Sequence, residues 1–109
     1  MKRSHPHSAA TVEAGRLLGA RIQVARRERR WTLQELADRV GVTRVTMHKV
    51  EHGDLTVGLG TAFEAAVLVG VALFDEDRSR RLSEAGRVED RLAVLPTQVR
   101  KPTKFDDDF

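Results

Sequence analysis

The stretch "GVTRVTMHKVEHGD", residues 41–54, gathers hydroxyls, a guanidinium, imidazoles and an ammonium, and spaces them between apolar residues. On a helical wheel at roughly 100° per residue, with Met47 taken as inward, Thr43 and Val50 fall on one inward flank and Glu51 on the other. Val45 and Lys49 then lie nearly opposite Met47, with Thr46 and His48 at the sides. Arg44 sits on a first-turn shoulder, from which a long side chain can swing outward. The outer face therefore offers donors, one apolar group and no carboxylate. Donors suit guanine edges, an apolar group suits a thymine methyl, and the missing carboxylates spare phosphate any repulsion. This is chemistry for the major groove of duplex DNA.

Other chemistry finds little support. His5 and His7 lie in the segment 1–10 that reads as an arm, and His48 and His52 lack acidic or cysteine companions for a metal, so no metal site is expected. No Ser/His/Asp set or carboxylate pair has supporting context. The "GLG" at residues 58–60 reads as a loop into a helix, not as a phosphate cradle. Neither enzyme activity nor a cofactor is expected. The chain contains no cysteine, which rules out disulfides and thiolate-held metals and fits a reducing compartment. Its opening residues lack the apolar run of a signal peptide, and "AAVLVGVALF" at 65–74 is too short to cross a bilayer. A cytoplasmic protein is expected.

Charge is distributed unevenly. Residues 1–49 carry 11 Lys/Arg against 4 Asp/Glu, a net of +7, while residues 50–109 carry 8 against 12, a net of −4. A basic front half points to a polyanionic partner on one side of the molecule.

The elements that must position the outer face are helical throughout. Residues 1–10 read as a flexible arm. From Ala14, the spacing of Ala14, Leu18, Ile22 and Ala25 predicts a first helix with one apolar stripe, and Trp31 closes it as a core aromatic. Thr32 and Glu35 form the pattern of a capping box, and Leu33, Leu36, Ala37 and Val40 predict a second helix ending at Gly41. Thr43 caps the third helix, which stops at "HGD". Leu59, Ala62, Phe63 and Ala66 predict a fourth helix ending near Gly70. Leu82, Ala85, Val88, Leu92 and Leu95 predict a fifth, stopped by Pro96 and weakened by Gly86. A helix of eight residues, the turn "GVT" and a second helix have the spacing of a helix-turn-helix, in which Ala37 must be small where the helices approach. The expected organisation is an arm at 1–10, a helical domain at 11–95 with the helix-turn-helix at 32–53, and a tail at 96–109.

The segment "TLQELADRVGVTRVTMHKVEHGD" resembles the phage-repressor-like (Xre, lambda-repressor-like) superfamily. Leu36, Ala37, Val40, Gly41, Val42, Met47 and Val50 follow its apolar and small positions, and Glu51 to Gly53 match its "E-x-G". The resemblance runs from about Gly15 to Phe74 and implies an all-α, five-helix domain. It also implies that Arg44, Val45 and Lys49 read bases, with His48 beside them, while Thr43, Thr46 and His52 contact the backbone. The family often places a glutamine directly after the second helix's cap, against phosphate. Here Leu33 stands there and Gln34 follows as the candidate. The family also pairs the glutamate at position 51 with an arginine late in the first helix, which alignment makes Arg26, a further candidate for phosphate.

A module of this kind is expected to bind palindromic double-stranded DNA as a homodimer, with Val67, Leu73, Phe74, Leu82 and Leu92 as candidate dimer contacts. "LPTQVRKPTKFDDDF" is similar to the tails of antitoxins (HipB-like) that accompany HipA-like serine/threonine kinase toxins. That resemblance implies an autoregulating repressor and antitoxin with a kinase partner. A stand-alone Xre-type regulator is the alternative.

Overall fold

The computed structural model describes residues 6–101. Among them the chain forms five helices and no strand: α1 Ala9–Glu28, α2 Leu33–Val40, α3 Arg44–Glu51, α4 Leu59–Leu68 and α5 Arg78–Val94. The all-α expectation holds. Helices α1 to α4 belong to one compact unit and α5 to a second, with the division between Leu73 and Phe74.

Helix α1 starts five residues before the apolar stripe suggests. Ser8 adopts an extended backbone and its hydroxyl accepts the Thr11 N–H at 3.3 Å, which satisfies one of the first-turn donors. The expected arm therefore shrinks at its C-terminal end, and Lys2, Arg3 and His5 lie outside the described residues. Ile22 is fully buried, Leu18 and Ala25 are partly buried, and Ala14 is exposed. The helix ends at Arg29, and Arg30 reverses the chain at φ 61°.

Helix α2 carries the full capping box. The Thr32 hydroxyl accepts the Glu35 N–H at 3.0 Å, and the Glu35 carboxylate accepts the Thr32 N–H at 3.2 Å. Gly41 leaves the helix at φ 87°, a left-handed conformation that costs glycine nothing. The Ala37 carbonyl takes both following N–H groups, from Gly41 at 2.9 Å and Val42 at 3.0 Å, which ties down the turn into α3. Ala37 itself is fully buried, as the close approach of two helices demands.

The core of this unit is Ile22, Leu36, Ala37, Met47, Val50, Ala65, Ala66 and Val69, with Trp31, Leu33, Val42 and Leu73 packed around it. In α4 the inward positions are Ala65, Ala66 and, just beyond the helix, Val69. Leu59 is 68 % exposed, so the stripe starts later than its sequence spacing suggests. Gly58 is the N-cap and Leu59–Gly60 are already helical, so the "GLG" is a helix start rather than a loop. The end of α4 is closed by Arg29, whose Nε donates to the Val69 carbonyl at 3.0 Å. That contact joins the ends of α1 and α4.

In the second unit, Asp77 caps α5 by accepting the Ser79 N–H at 2.8 Å, and Arg81 Nη1 donates to the carbonyls of Asp75 and Glu76 at 2.8 Å each. Gly86 does not interrupt the helix. Helix α5 contains no buried residue, and Leu82, Val88, Leu92 and Leu95 are all exposed. Among the described residues, no helix is long and apolar enough to cross a membrane.

Candidate nucleic-acid interface

Burial along α3 follows the wheel. Met47 is fully buried, Val50 and Glu51 are 5 % and 4 % exposed, and Val45 on the opposite side is 66 % exposed. Arg44, His48 and Lys49 are also exposed, and Thr46 is half-buried. Two apolar anchors therefore hold the helix down while Arg44, Val45, His48 and Lys49 remain on one free surface. No carboxylate of α3 joins them, because the helix's only acid, Glu51, faces the interior.

Glu51 is held there by Arg26. Arg26 Nε donates to one carboxylate oxygen at 2.6 Å and Nη2 to the other at 2.9 Å, while Nη1 donates to the Trp31 carbonyl at 2.9 Å. The hydrogen bond to Glu51 raises the Arg26 pKa above its ordinary value. Such a two-pronged pair fixes both distance and angle, so the C-terminal end of α3 is locked to α1 and, through Trp31, to the α1–α2 turn. This corrects the expectation that Arg26 reaches phosphate. Arg26 is 8 % exposed, and every nitrogen of its guanidinium already donates within the protein.

A second device sets how closely α3 lies against α1. A Cβ built on Gly19 would stand 2.5 Å from the Val50 carbonyl oxygen and 2.6 Å from that of Glu51. One turn earlier, a Cβ on Gly15 would meet Leu55 Cδ2 at 2.8 Å and the Gly53 carbonyl oxygen at 3.1 Å. Gly53 itself turns at φ 74°, and a Cβ there would strike the Arg16 nitrogen at 2.7 Å. The end of α3 and the turn after it thus rest in a notch that only glycine leaves open on α1. Apolar periodicity gives these positions no weight. The signal that could have revealed them is Gly15-x-x-x-Gly19 on a helix facing the "E-x-G" turn.

The remaining candidates differ in what their free groups can do. The Thr43 hydroxyl is committed to capping α3: it accepts the Thr46 N–H at 3.1 Å and donates to the Thr46 hydroxyl oxygen at 3.0 Å. The Thr46 hydroxyl accepts that bond, so its own proton stays available to an anion. Gln34 is exposed and donates from Nε2 to Asp38 Oδ1 at 2.8 Å along α2, which uses one of its two amide protons. His52 donates from Nδ1 to the His48 carbonyl at 2.8 Å, and the two rings stack with centroids 4.0 Å apart. Because a carbonyl can only accept, Nδ1 carries the proton and neutral His52 shows solvent a lone pair on Nε2. Only its imidazolium could donate to phosphate there. Beyond α3, Asp54 accepts from the Thr56 N–H at 2.8 Å and the Thr56 hydroxyl at 2.5 Å. These bonds hold its pKa below the usual carboxylate value.

A capped helix, a left-handed glycine turn and a second helix with one buried and one free face together make a helix-turn-helix. The family model described as "Helix-turn-helix domain" matches residues 17–82, more than half of the chain. The chain belongs to that helix-turn-helix family. Comparisons with curated proteins and with solved structures find no match. The match begins inside α1 and ends at Leu82, so it covers the helix-turn-helix with its supporting helices and only the first residues of α5. The domain supports a DNA-binding regulator of the Xre-like kind. Helix α3 is the second helix of that motif, with Val45 and Lys49 at the centre of its free face.

Proposed function

We propose that this protein is a sequence-specific transcriptional repressor that lays α3 in the major groove of a palindromic operator, with Arg44, Val45 and Lys49 reading base edges. The observation that carries this reading is the free face of α3, held outward by the Met47 and Val50 anchors and the Arg26–Glu51 pair. Thr46 supplies a hydroxyl to the backbone, and His48 extends the same surface. The test is selection from a randomised duplex pool, followed by affinity measurements over a range of salt. The expected result is an enriched palindrome with half-sites about one helical turn apart, roughly 34 Å, and an affinity that falls steeply with salt. Equal affinity for selected and scrambled duplexes overturns the reading.

The repressor acts as a homodimer. Exposed Val67, Phe74, Leu82 and Leu92 support this, since each leaves apolar surface in water. Leu73 drops out of the candidate set because it packs against the core of the first unit. Sedimentation of the full chain distinguishes a dimer from a monomer.

The repressor is the antitoxin of a two-component module and binds a HipA-like kinase through its C-terminal tail. Support for this step is the composition of residues 96–109, of which 102–109 lie outside the described residues. Co-expression with the product of a neighbouring kinase-like reading frame tests it. A complex that survives purification and is lost on deleting residues 96–109 is expected. Repression without any such partner identifies a stand-alone regulator instead.

A further inference from the structure

We infer that α5 pairs with α5 of a second copy of this chain as an antiparallel two-helix seam, which rests on the homodimer reading proposed above and gives that dimer its surface. Helix α5 runs for 17 residues, buries none of them and carries Gly86 at its middle. A helix of that length is marginal in water without tertiary cover. Its apolar residues Leu82, Ala85, Val88 and Leu92 advance by steps of three, three and four, which keeps them on one side of the helix. Leu82, Val88 and Leu92 are 57, 47 and 64 % exposed. With Ala85 and Val88 as the inward a and d positions of a heptad, Arg78 and Leu92 are also a positions and Arg81 is also a d position. Glu84 and Arg91 then take the flanking g positions, and Leu82 and Glu89 the flanking e positions.

Charge decides both the occupant and its direction. Laid parallel and in register, two copies set Arg78 against Arg78, Arg81 against Arg81, and Glu84 of each beside Glu89 of the other. Laid antiparallel, g positions meet g positions instead. The register that sets Ala85 of each copy against Val88 of the other then brings Glu84 of each beside Arg91 of the other. Two-fold symmetry makes that pair twice, so one helix is its own complement. Arg91 has no ion pair among the described residues, and Glu84 is held only by an exposed bond from Arg87 at 2.7 Å, which leaves lone pairs for a second donor. The same register faces Arg81 with Leu92 of the other copy. Arg81 tolerates this because its Nη1 already donates to the carbonyls of Asp75 and Glu76 in its own chain, leaving its methylene stem to cover the leucine. Ala85, small and central, lets the two backbones approach.

The test is sedimentation equilibrium of the full chain without DNA, with circular dichroism to confirm that each variant is folded. The parent should dimerise, and Leu92→Asp should leave a monomer. Arg91→Glu should weaken the dimer about tenfold, because two attractive pairs become two repulsive ones. Glu84→Arg/Arg91→Glu should restore most of that loss, since each pair is again opposite in sign. The chain has no cysteine, so direction is read by oxidation of introduced thiols. An Arg81→Cys chain mixed with a Leu92→Cys chain should cross-link between the two. Leu92→Cys alone should not, because its two copies stand about 16 Å apart along an antiparallel seam, beyond the roughly 7 Å between Cα atoms that a disulfide spans. A monomeric parent, or a cross-link formed by Leu92→Cys alone, overturns the proposal. A dimer indifferent to Leu92→Asp and Arg91→Glu also overturns it, and leaves the homodimer standing on another surface. A chain that dimerises through α5 yet binds no duplex sinks the DNA-binding reading and leaves the seam intact.

Discussion

Arg26 and Glu51 face each other through two parallel bonds, Nε to Oε2 at 2.6 Å and Nη2 to Oε1 at 2.9 Å, with both side chains out of solvent. The third bond from Arg26, to the Trp31 carbonyl, ties the same guanidinium to the α1–α2 turn. Removing one partner strands the other charge in the interior, which costs about 3–5 kcal/mol, whereas replacing both with apolar residues of similar size is often neutral. Glu51→Ala and Arg26→Ala should therefore lower unfolding stability by about that amount in urea titrations. Arg26→Met/Glu51→Leu should recover much of the loss, diminished by whatever the orphaned Trp31 carbonyl costs. If either single variant is as stable as the parent, the pair does not hold α3.

The contact between Gly19 and the carbonyls of Val50 and Glu51 is set by backbone against backbone, so no side chain can yield to relieve a clash. Gly19→Ala must push α3 away from α1 or strain both helices, at a cost of about 1–3 kcal/mol by analogy with overpacked cores. Gly86 in α5 offers the contrast, since a Cβ there meets nothing within 4 Å. Gly86→Ala should instead stabilise its helix by about 0.5–1 kcal/mol. Melting curves for the two variants should move in opposite directions, and the Gly19 variant alone should lose affinity for duplex DNA.

Legibility in the sequence followed the physics of each signal. Local rules were readable: the Thr32–Glu35 capping box, the left-handed Gly41, the Thr43 cap and the two faces of α3 each depend on residues within a turn or two. The Arg26–Glu51 pair spans 25 residues and was reachable only through family resemblance, because composition does not tell one arginine of "ARRERR" from the next. Contacts between backbones, such as Gly15 and Gly19 against the α3 terminus, leave no apolar residue to count. Arg29 likewise looks like a surface cation, although its Nε closes the end of α4. The stripe of α5 was legible as a helix, but periodicity cannot say what covers a face. Within its unit, that stripe is exposed.

Arg30 holds φ 61° without being glycine. A Cβ in this left-handed region costs roughly 1–2 kcal/mol, which glycine avoids while making the unfolded chain more flexible. The Arg30 side chain is exposed, so Arg30→Gly removes strain without opening a cavity. A net gain of up to about 1 kcal/mol is expected. Arg30→Val, β-branched and worse suited to positive φ, should lose stability. Thermal unfolding of the two variants, compared at equal salt, checks the sign of each.

Lys49 and Thr46 sit three residues apart on α3, one fully outward and one at its flank, and they should fail differently. An ammonium aimed at a guanine edge discriminates between bases, whereas a hydroxyl donating to phosphate is indifferent to sequence. Lys49→Ala should cost on the order of 1–3 kcal/mol at the selected operator and much less at a scrambled duplex, so the ratio between them collapses at that base pair. Thr46→Val should weaken both duplexes by a similar factor and leave the preference intact. Its methyl groups preserve the shape, and its backbone N–H still reaches the Thr43 cap. Fluorescence anisotropy with the two duplexes, repeated at two salt concentrations, separates these cases. If Lys49→Ala reduces both affinities equally, Lys49 contacts phosphate and base reading falls to Arg44 and Val45.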